Sequence, residues 1–383
     1  MARQTQIIQL PSVSPGTRRE LIVHRWGEAG ARPKAYLQAA IHADEWPGLL
    51  VLHHLTRLLD EADREGRITG EILLLPYANP IGLNQSVNGH LIGRHHLADE
   101  SGHFSNFNRD WPDLTDAVAE TVKDKLGDDA DRNVALVRSA LLEAVAGLPG
   151  MTERDFYRKT LLGLSIDADC VFDLHCDNEA LLHIYANVNH AESLVELGRD
   201  MEAPLFIFET GAAGCFDETN GGPWYGLREK LGLGDRLPLA CFATTPELRG
   251  MRDVDDAVCG RDAENLLRFL TRRGFVAGDP GPLPDPVGEP TPLHGLDWIK
   301  APIAGLAVWK KRLGDRIQAG ELLVEIVDLT VTNLETSRIA VYAETNGLLF
   351  SILNDRMVRA GTTIGRIAGV ETLNHRRAIA NQD

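Results

Sequence analysis

Through its first three quarters the chain alternates short apolar runs with longer stretches of helical spacing. Runs at residues 20–24, 35–41, 71–77, 169–174, 181–185, 205–208 and 239–245 are rich in apolar and β-branched residues, as buried strands are. Between the second and third, residues 46–62 carry apolar side chains at 49, 52, 55, 58 and 59, which form one helical stripe. Residues 133–146 and 255–272 show the same spacing. The alternation predicts an α/β domain over residues 1–277, with helices flanking a parallel or mixed sheet.

The pattern then breaks. Residues 278–292 are so dense in Pro and Gly that they can sustain neither a helix nor a central strand, and they read as a linker. Beyond it, residues 293–383 carry short β runs at 303–309, 322–327, 339–343, 348–353 and 363–367. Turn signals such as Gly314-Asp315 and Asn346-Gly347 separate them. This region is expected to form a small all-β, barrel-like domain.

Composition narrows the function more than the fold. With 44% hydrophobic and 25% charged residues, the 383-residue chain has the material for a large core. A net charge of −16 argues against a nucleic-acid partner and gives no support for an anionic membrane. Residues 110–132 concentrate acidic groups and read as a solvated surface stretch. Five cysteines without a CxxC pair suggest neither a disulfide framework nor a zinc knuckle. The first ten residues lack the apolar core of a signal peptide, and no 18-residue apolar segment occurs. A cytoplasmic protein is expected, and the sequence leaves homo-oligomerisation open.

Candidate chemistry sits where the predicted strands end. His42 and Glu45 in His42-Ala43-Asp44-Glu45 follow one run, and His175 in Asp173-Leu174-His175 closes another. Two imidazoles and a carboxylate make a three-ligand zinc site whose fourth position takes water, so one Zn2+ per chain is expected. Glu247, after a third run, is a carboxylate able to take a proton from that water and return it to a leaving amine. Asn108 and Arg109 could hold a substrate carboxylate, and a further arginine such as Arg94 could stabilise an oxyanion. Each element alone has a plainer reading. An isolated HxxE pair is usually a helix-surface or core pair, and His175 or Glu247 could be an ordinary strand-end or loop residue. Their joint order favours the metal site. His53, His54, His95, His96 and His103 read as solvated, His183 as structural, and Cys176 as a small buried hydrophobe.

Taken together, His42-Ala43-Asp44-Glu45, Asn79-Pro80, Asn108-Arg109, Asp173-Leu174-His175 and Glu247 resemble the succinylglutamate desuccinylase/aspartoacylase family, within the zinc carboxypeptidase superfamily. The likeness runs over about residues 20–273. It implies a zinc-carboxypeptidase-like mixed sheet, with His42, Glu45 and His175 on zinc and Glu247 as general base and acid. It further implies that Asn108 and Arg109 grip a substrate carboxylate, and that Arg94 polarises the scissile carbonyl. Asn106-Phe107 stands where the family commonly has Asp-Leu. The Gly-rich segment 209–222 aligns with no known element, and Trp224-Tyr225 beyond it could supply an aromatic wall. Residues 301–347 resemble a biotinyl/lipoyl-like barrel, but no lysine lies between residues 321 and 345 to carry a prosthetic group. The resemblance makes this barrel a lid beside the cleft.

The leading expectation is therefore a zinc amidohydrolase that cleaves a small N-acyl amino acid. A metallocarboxypeptidase or amidase on short peptides shares every one of these residues. A non-catalytic binding protein that retains the fold is the third reading, and an intact base opposite the metal counts against it.

Overall fold

The computed structural model describes residues 3–97, 105–211, 214–371 and 373, so His103 and residues 212–213 lie outside it. The chain opens with β1 (Gln4–Gln9), β2 (Glu20–Trp26), β3 (Lys34–Ala39), α1 (Pro47–Arg64) and β4 (Glu71–Leu75). A polar connection follows with two small ribbons, β5 (Ser86–Val87) with β6 (His90–Leu91) and β7 (His95–His96) with β8 (Ser105–Asn106). Helices α2 (Thr115–Val122), α3 (Ala130–Ala146) and α4 (Glu153–Ser165) lead to β9 (Cys170–Asp177), β10 (Glu179–Ala180) and β11 (His183–Asn187). Then come α5 (Ala191–Asp200), β12 (Leu205–Glu209), α6 (Phe216–Lys230), β13 (Phe242–Gly250), α7 (Asp256–Arg272) and β14 (Glu289–Pro292).

These strands form one nine-stranded sheet in the order β1-β2-β4-β3-β9-β13-β11-β12-β14. It is mixed: β3 runs parallel to β4 and β9, β13 runs parallel to β9, and β11 opposes β13. Because successive side chains point to opposite faces, each central strand feeds two cores. Tyr36, Leu73 and Val171 pack with α2, α3, α4 and α6 on one face, whereas Leu37, Leu74 and Phe172 pack with α1, α5 and α7 on the other. Burial on both faces explains why β3, β4 and β9 read as continuous apolar runs rather than alternating ones.

The C-terminal part adds β15 (Leu296–Lys300), β16 (Gly305–Trp309), β17 (Arg316–Ile317), β18 (Leu322–Val327), β19 (Arg338–Tyr342), β20 (Gly347–Ile352), β21 (Met357–Val358) and β22 (Thr363–Ala368). One sheet has the order β10-β20-β22-β15, with β17 also on β20, and the other has the order β19-β18-β16-β21. The two enclose a shared core that includes Leu323, Ile326, Leu349, Ile364 and Ile367. A separate apolar cluster of Leu205, Ile207, Leu296, Phe350 and Ala368 joins these sheets to β12.

Several sequence expectations need correction. Residues 289–292 are not all linker, because β14 pairs with β12 at the sheet edge, where a proline's missing N–H is tolerated. Predicted run 239–245 is in fact β13, which starts later and continues through Glu247, since β9 and β11 pair with it on both sides. Segment 209–222 is largely helical. The backbone N–H of Cys215 is bonded to Glu218 in a capping box that starts α6, and the helix absorbs Gly221, Gly222 and Pro223. Trp224 is fully buried in the core rather than forming a pocket wall. The acidic stretch 110–132 contains α2, whose Val118, Ala119 and Val122 face inward. Strand β1 and helices α4 and α5 carried signals too weak or too short to be recognised by periodicity.

Candidate metal centre

Strand β3 ends at Ala39, and Ala40 adopts a left-handed backbone (φ 59) that turns the chain towards His42. Two loops then lock together. The buried Asn79 side chain donates to the Ile41 carbonyl at 2.7 Å and accepts from the Gly82 N–H at 2.8 Å. Ala43 N–H donates to the Gly93 carbonyl, and a Cβ on Gly93 would fall 2.5 Å from the Ala43 Cβ. This close approach fixes His42 and Arg94 relative to one another. It gives Asn79, quoted in the sequence motif without a role, a positioning function.

Strand β9 brings the third group. His42, Glu45 and His175 are all buried, and one ligand atom from each lies within 4.8 Å of the others. Glu45 Oε1 is 3.0 Å from His42 Nδ1, and Glu45 Oε2 is 2.8 Å from His175 Nδ1. The opposite ring nitrogens are engaged elsewhere. His42 Nε2 meets Asn106 Oδ1 at 2.8 Å, and His175 Nε2 meets Asp173 Oδ2 at 3.0 Å. Both partners are oxygens able to accept an Nε2–H, and in that tautomer each imidazole would turn its Nδ1 lone pair towards the point that Glu45 also faces. Two lone pairs and an anion directed at one point call for a cation, and the donor set fits zinc. The second layer goes deeper: Gln38 Nε2 donates to Asp173 Oδ1 at 2.9 Å, and Tyr36 Oη donates to Gln38 Oε1 at 2.7 Å. Sequence reasoning gave Gln38 no role, and it quoted Asn106 and Asp173 only within motifs. A polar residue in the middle of an otherwise apolar strand was the available signal.

The other expected residues fall into distinct places. Arg94 donates to Glu45 Oε1 at 2.6 Å. Asn108 is buried against the site, with Nδ2 3.2 Å from His175 Nε2 and Oδ1 accepting the Phe216 N–H at 2.8 Å. Arg109 is exposed, and its Nη1 donates to the Asn108 carbonyl at 2.8 Å and to Cys215 Sγ at 3.1 Å. Glu247 lies in register with His175 on one side and His183 on the other. Its Oε2 is buried with no hydrogen-bond partner among the described residues. Burial, reinforced by the nearby Glu45 carboxylate, pushes the Glu247 carboxyl up to about 8. The bulge that follows it contains Arg249 with φ 67, anchored by paired hydrogen bonds to buried Asp262. Bulges beside functional strands commonly re-aim a side chain in this way.

Of the histidines expected to be solvated, His53 is exposed, whereas His54, His95 and His96 are half-buried. His54 sits on α1 against Asp256, Cys176 is buried, and His183 is buried within β11. No helix among the described residues is long and apolar enough to cross a membrane.

Comparison with known proteins bears on the fold. Residues 31–139 match the family model described as the succinylglutamate desuccinylase/aspartoacylase catalytic domain. No curated protein matches the chain. Among solved structures, a succinylglutamate desuccinylase/aspartoacylase family protein from Shewanella amazonensis SB2B is 25% identical with a TM-score of 0.82, covering 95% of this chain and 98% of its own. A protein of the same description from Shewanella frigidimarina NCIMB 400 shares the fold at 24% identity and a TM-score of 0.83, over 96% and 97% of the two chains. The product-bound ectoine utilization protein EutE (DoeB) of Ruegeria pomeroyi shares it at 18% identity and a TM-score of 0.64, over 96% and 95%. The family's catalytic-domain model spans the metal-ligand loop and the Asn108-Arg109 pair, so this part of the chain is similar to the succinylglutamate desuccinylase/aspartoacylase catalytic domain.

Proposed function

We propose that this protein is a zinc-dependent deacylase that hydrolyses the amide bond of a small N-acyl amino acid. The observation that carries the reading is the His42–Glu45–His175 cluster with an unpartnered Glu247 carboxylate in strand register with His175. A zinc ion held by those three side chains would supply Lewis acidity and lower the pKa of a water towards about 7. Glu247 takes the proton from the attacking water and delivers it to the leaving amine, a task suited to a carboxyl whose pKa stands near neutrality. Arg94, held on Glu45, offers its guanidinium to the developing oxyanion. Asp173 and Asn106 hold the two imidazoles in the tautomer that presents Nδ1.

The mixed sheet, with its site at the C-terminal ends of β3 and β9, supports a zinc-carboxypeptidase-like arrangement. A peptidase on short peptides would use the same groups, so the substrate panel decides between them. N-acetyl and N-succinyl amino acids, including an N-acetylated diamino acid, are assayed beside dipeptides after chelation and after zinc is restored. The deacylase reading expects turnover of acyl amino acids that is lost on chelation and recovered with zinc. Turnover confined to dipeptides, or turnover indifferent to chelation, overturns it.

A further inference from the structure

Glu247 stands at the last regular position of β13 before the ladder slips. It is in register with His175, and Gly250 with Asp177, so Leu248 and Arg249 together face the single residue Cys176 of β9. The bulge turns on Arg249, whose φ of 67 lies in the left-handed region where glycine is the least costly residue. A glycine is present one position later, at Gly250, where a Cβ would fall 2.7 Å from the Asn178 carbonyl oxygen. An arginine kept in a strained conformation beside a glycine has a use for its side chain. Its Nη1 donates to Asp262 Oδ2 at 2.6 Å, and its Nη2 donates to Asp262 Oδ1 at 3.0 Å. Paired bonds of this kind fix a guanidinium in direction as well as in distance. Asp262 is buried (1% exposed), on the face of α7 that carries Cys259, Ala263 and Leu266 into the core.

That face of α7 also supports the turn that carries the metal ligands. Cys259, Ala263 and Leu266 share a core with Val51, Leu52 and Leu55 of α1, and α1 begins two residues after Glu45. Near the start of α7, Asp256 meets His54 of α1 at 3.0 Å. Helix α7 is therefore a common footing. Packing ties it to the segment after His42 and Glu45, and the Arg249–Asp262 pair ties it to the strand that holds Glu247. We propose that this ion pair is a positioning clasp that sets the Glu247 carboxylate against the metal ligands, with Arg249 acting through β13 and not on the substrate. This rests on the reading of Glu247 as general base for its effect on turnover, though not for the geometry. Glu247 Oε2 is buried with no hydrogen-bond partner among the described residues, so the strand backbone carries the aim of that oxygen. A base must stand within hydrogen-bond reach of the proton it takes, and a misplacement of about 1 Å costs on the order of 100-fold in rate.

The test uses the full chain and the paired variant Arg249→Met/Asp262→Leu. Exchanging both members of a buried ion pair for apolar groups is often neutral for stability, whereas removing one strands the other's charge. The paired variant is expected to melt within a few degrees of wild type and to keep its zinc content. Its kcat on an N-acyl amino acid is expected to fall by about 10- to 100-fold while KM stays within about threefold. Arg249→Lys keeps the charge without the two-bond fork, so its kcat is expected to lie between the two. In a Glu247→Gln background the paired change is expected to lower kcat no further, because residues that act as a unit are not additive. Crystal structures should show the Glu247 carboxylate of the paired variant displaced by about 1 Å relative to His175. An unchanged kcat overturns the clasp, as does a loss matched by a rise in KM, or one seen only with lost zinc or a collapsed melting temperature. An additive loss in the Glu247→Gln background overturns it too. If the wild-type chain hydrolyses no compound, the deacylase reading falls and the crystal structures decide: a displaced Glu247 upholds the clasp, and an unmoved one overturns it. Hydrolysis with kcat untouched by the paired variant removes the clasp and leaves the deacylase reading standing.

Discussion

His42, Glu45 and His175 meet through a three-residue spacing and a single strand end, whereas Asp177 meets Ser351 and Arg366 across 174 and 189 positions of chain. Both sets sit at the end of β9, two residues apart. The first belongs to rigid elements of the main sheet and is supported by Asp173, Gln38 and Tyr36 beneath it. The second exists only because β10 pairs with β20 and an apolar cluster joins the C-terminal sheets to β12. The contrast sets a cluster built by the main sheet against an ion pair made where the C-terminal sheets meet it.

Experiments can break that division in order of expected effect. Glu247→Gln is expected to lower kcat by about 10²- to 10⁴-fold while zinc content stays at one per chain, as for loss of a general base. Full turnover in that variant, measured alongside metal content, would remove Glu247 from the mechanism. Asp173→Asn should weaken zinc affinity by about 10- to 100-fold, read by competition with a chromophoric chelator, because the proton on His175 Nε2 loses its anionic acceptor. Unchanged affinity would mean that the second layer does not tune the ligand. Gly93→Ala introduces a methyl group 2.5 Å from the Ala43 Cβ. It is expected to cost about 1–3 kcal/mol in denaturant unfolding and to depress kcat by shifting Arg94 and the His42 turn together. A loss of stability with intact kcat would show that this contact is merely structural.

The smallest effect concerns the junction. Burial lowers the His183 imidazole to about 4, and the ring packs edge-on against Phe350 of β20. Since the folded value lies below the ordinary 6.5, the unfolded chain takes up the proton first as pH falls. His183 therefore contributes stability that is complete above about 6.5 and is lost progressively towards about 4. Thermal unfolding from pH 7 to 4 should show the wild-type Tm falling by a few degrees more than that of His183→Gln. Parallel curves would contradict the assignment.

Much of this was legible in the residues. The HxxE turn, the Asp173-Leu174-His175 strand end and Glu247 are short-range patterns with their own chemistry, and the fold brings all of them to one point. Strands β3, β4 and β9 could be read because burial on both faces leaves an uninterrupted apolar run. Helix α6 could not, because two glycines and a proline conceal it, and its start depends on the Cys215–Glu218 cap and its packing against the core. Asn108 is a comparable case. Its residue type suggested a ligand contact, but burial uses it between His175 and the Phe216 N–H.

By itself, then, the sequence determined the reactive groups and the alternation that carries them to strand ends, because periodicity and local spacing are properties of neighbouring residues. Only the tertiary structure decided which distant charges meet. The position of Arg366, its stacking on Trp298 and its pairing with Asp177 depend on contacts between segments far apart in the chain, and no local pattern encodes such contacts.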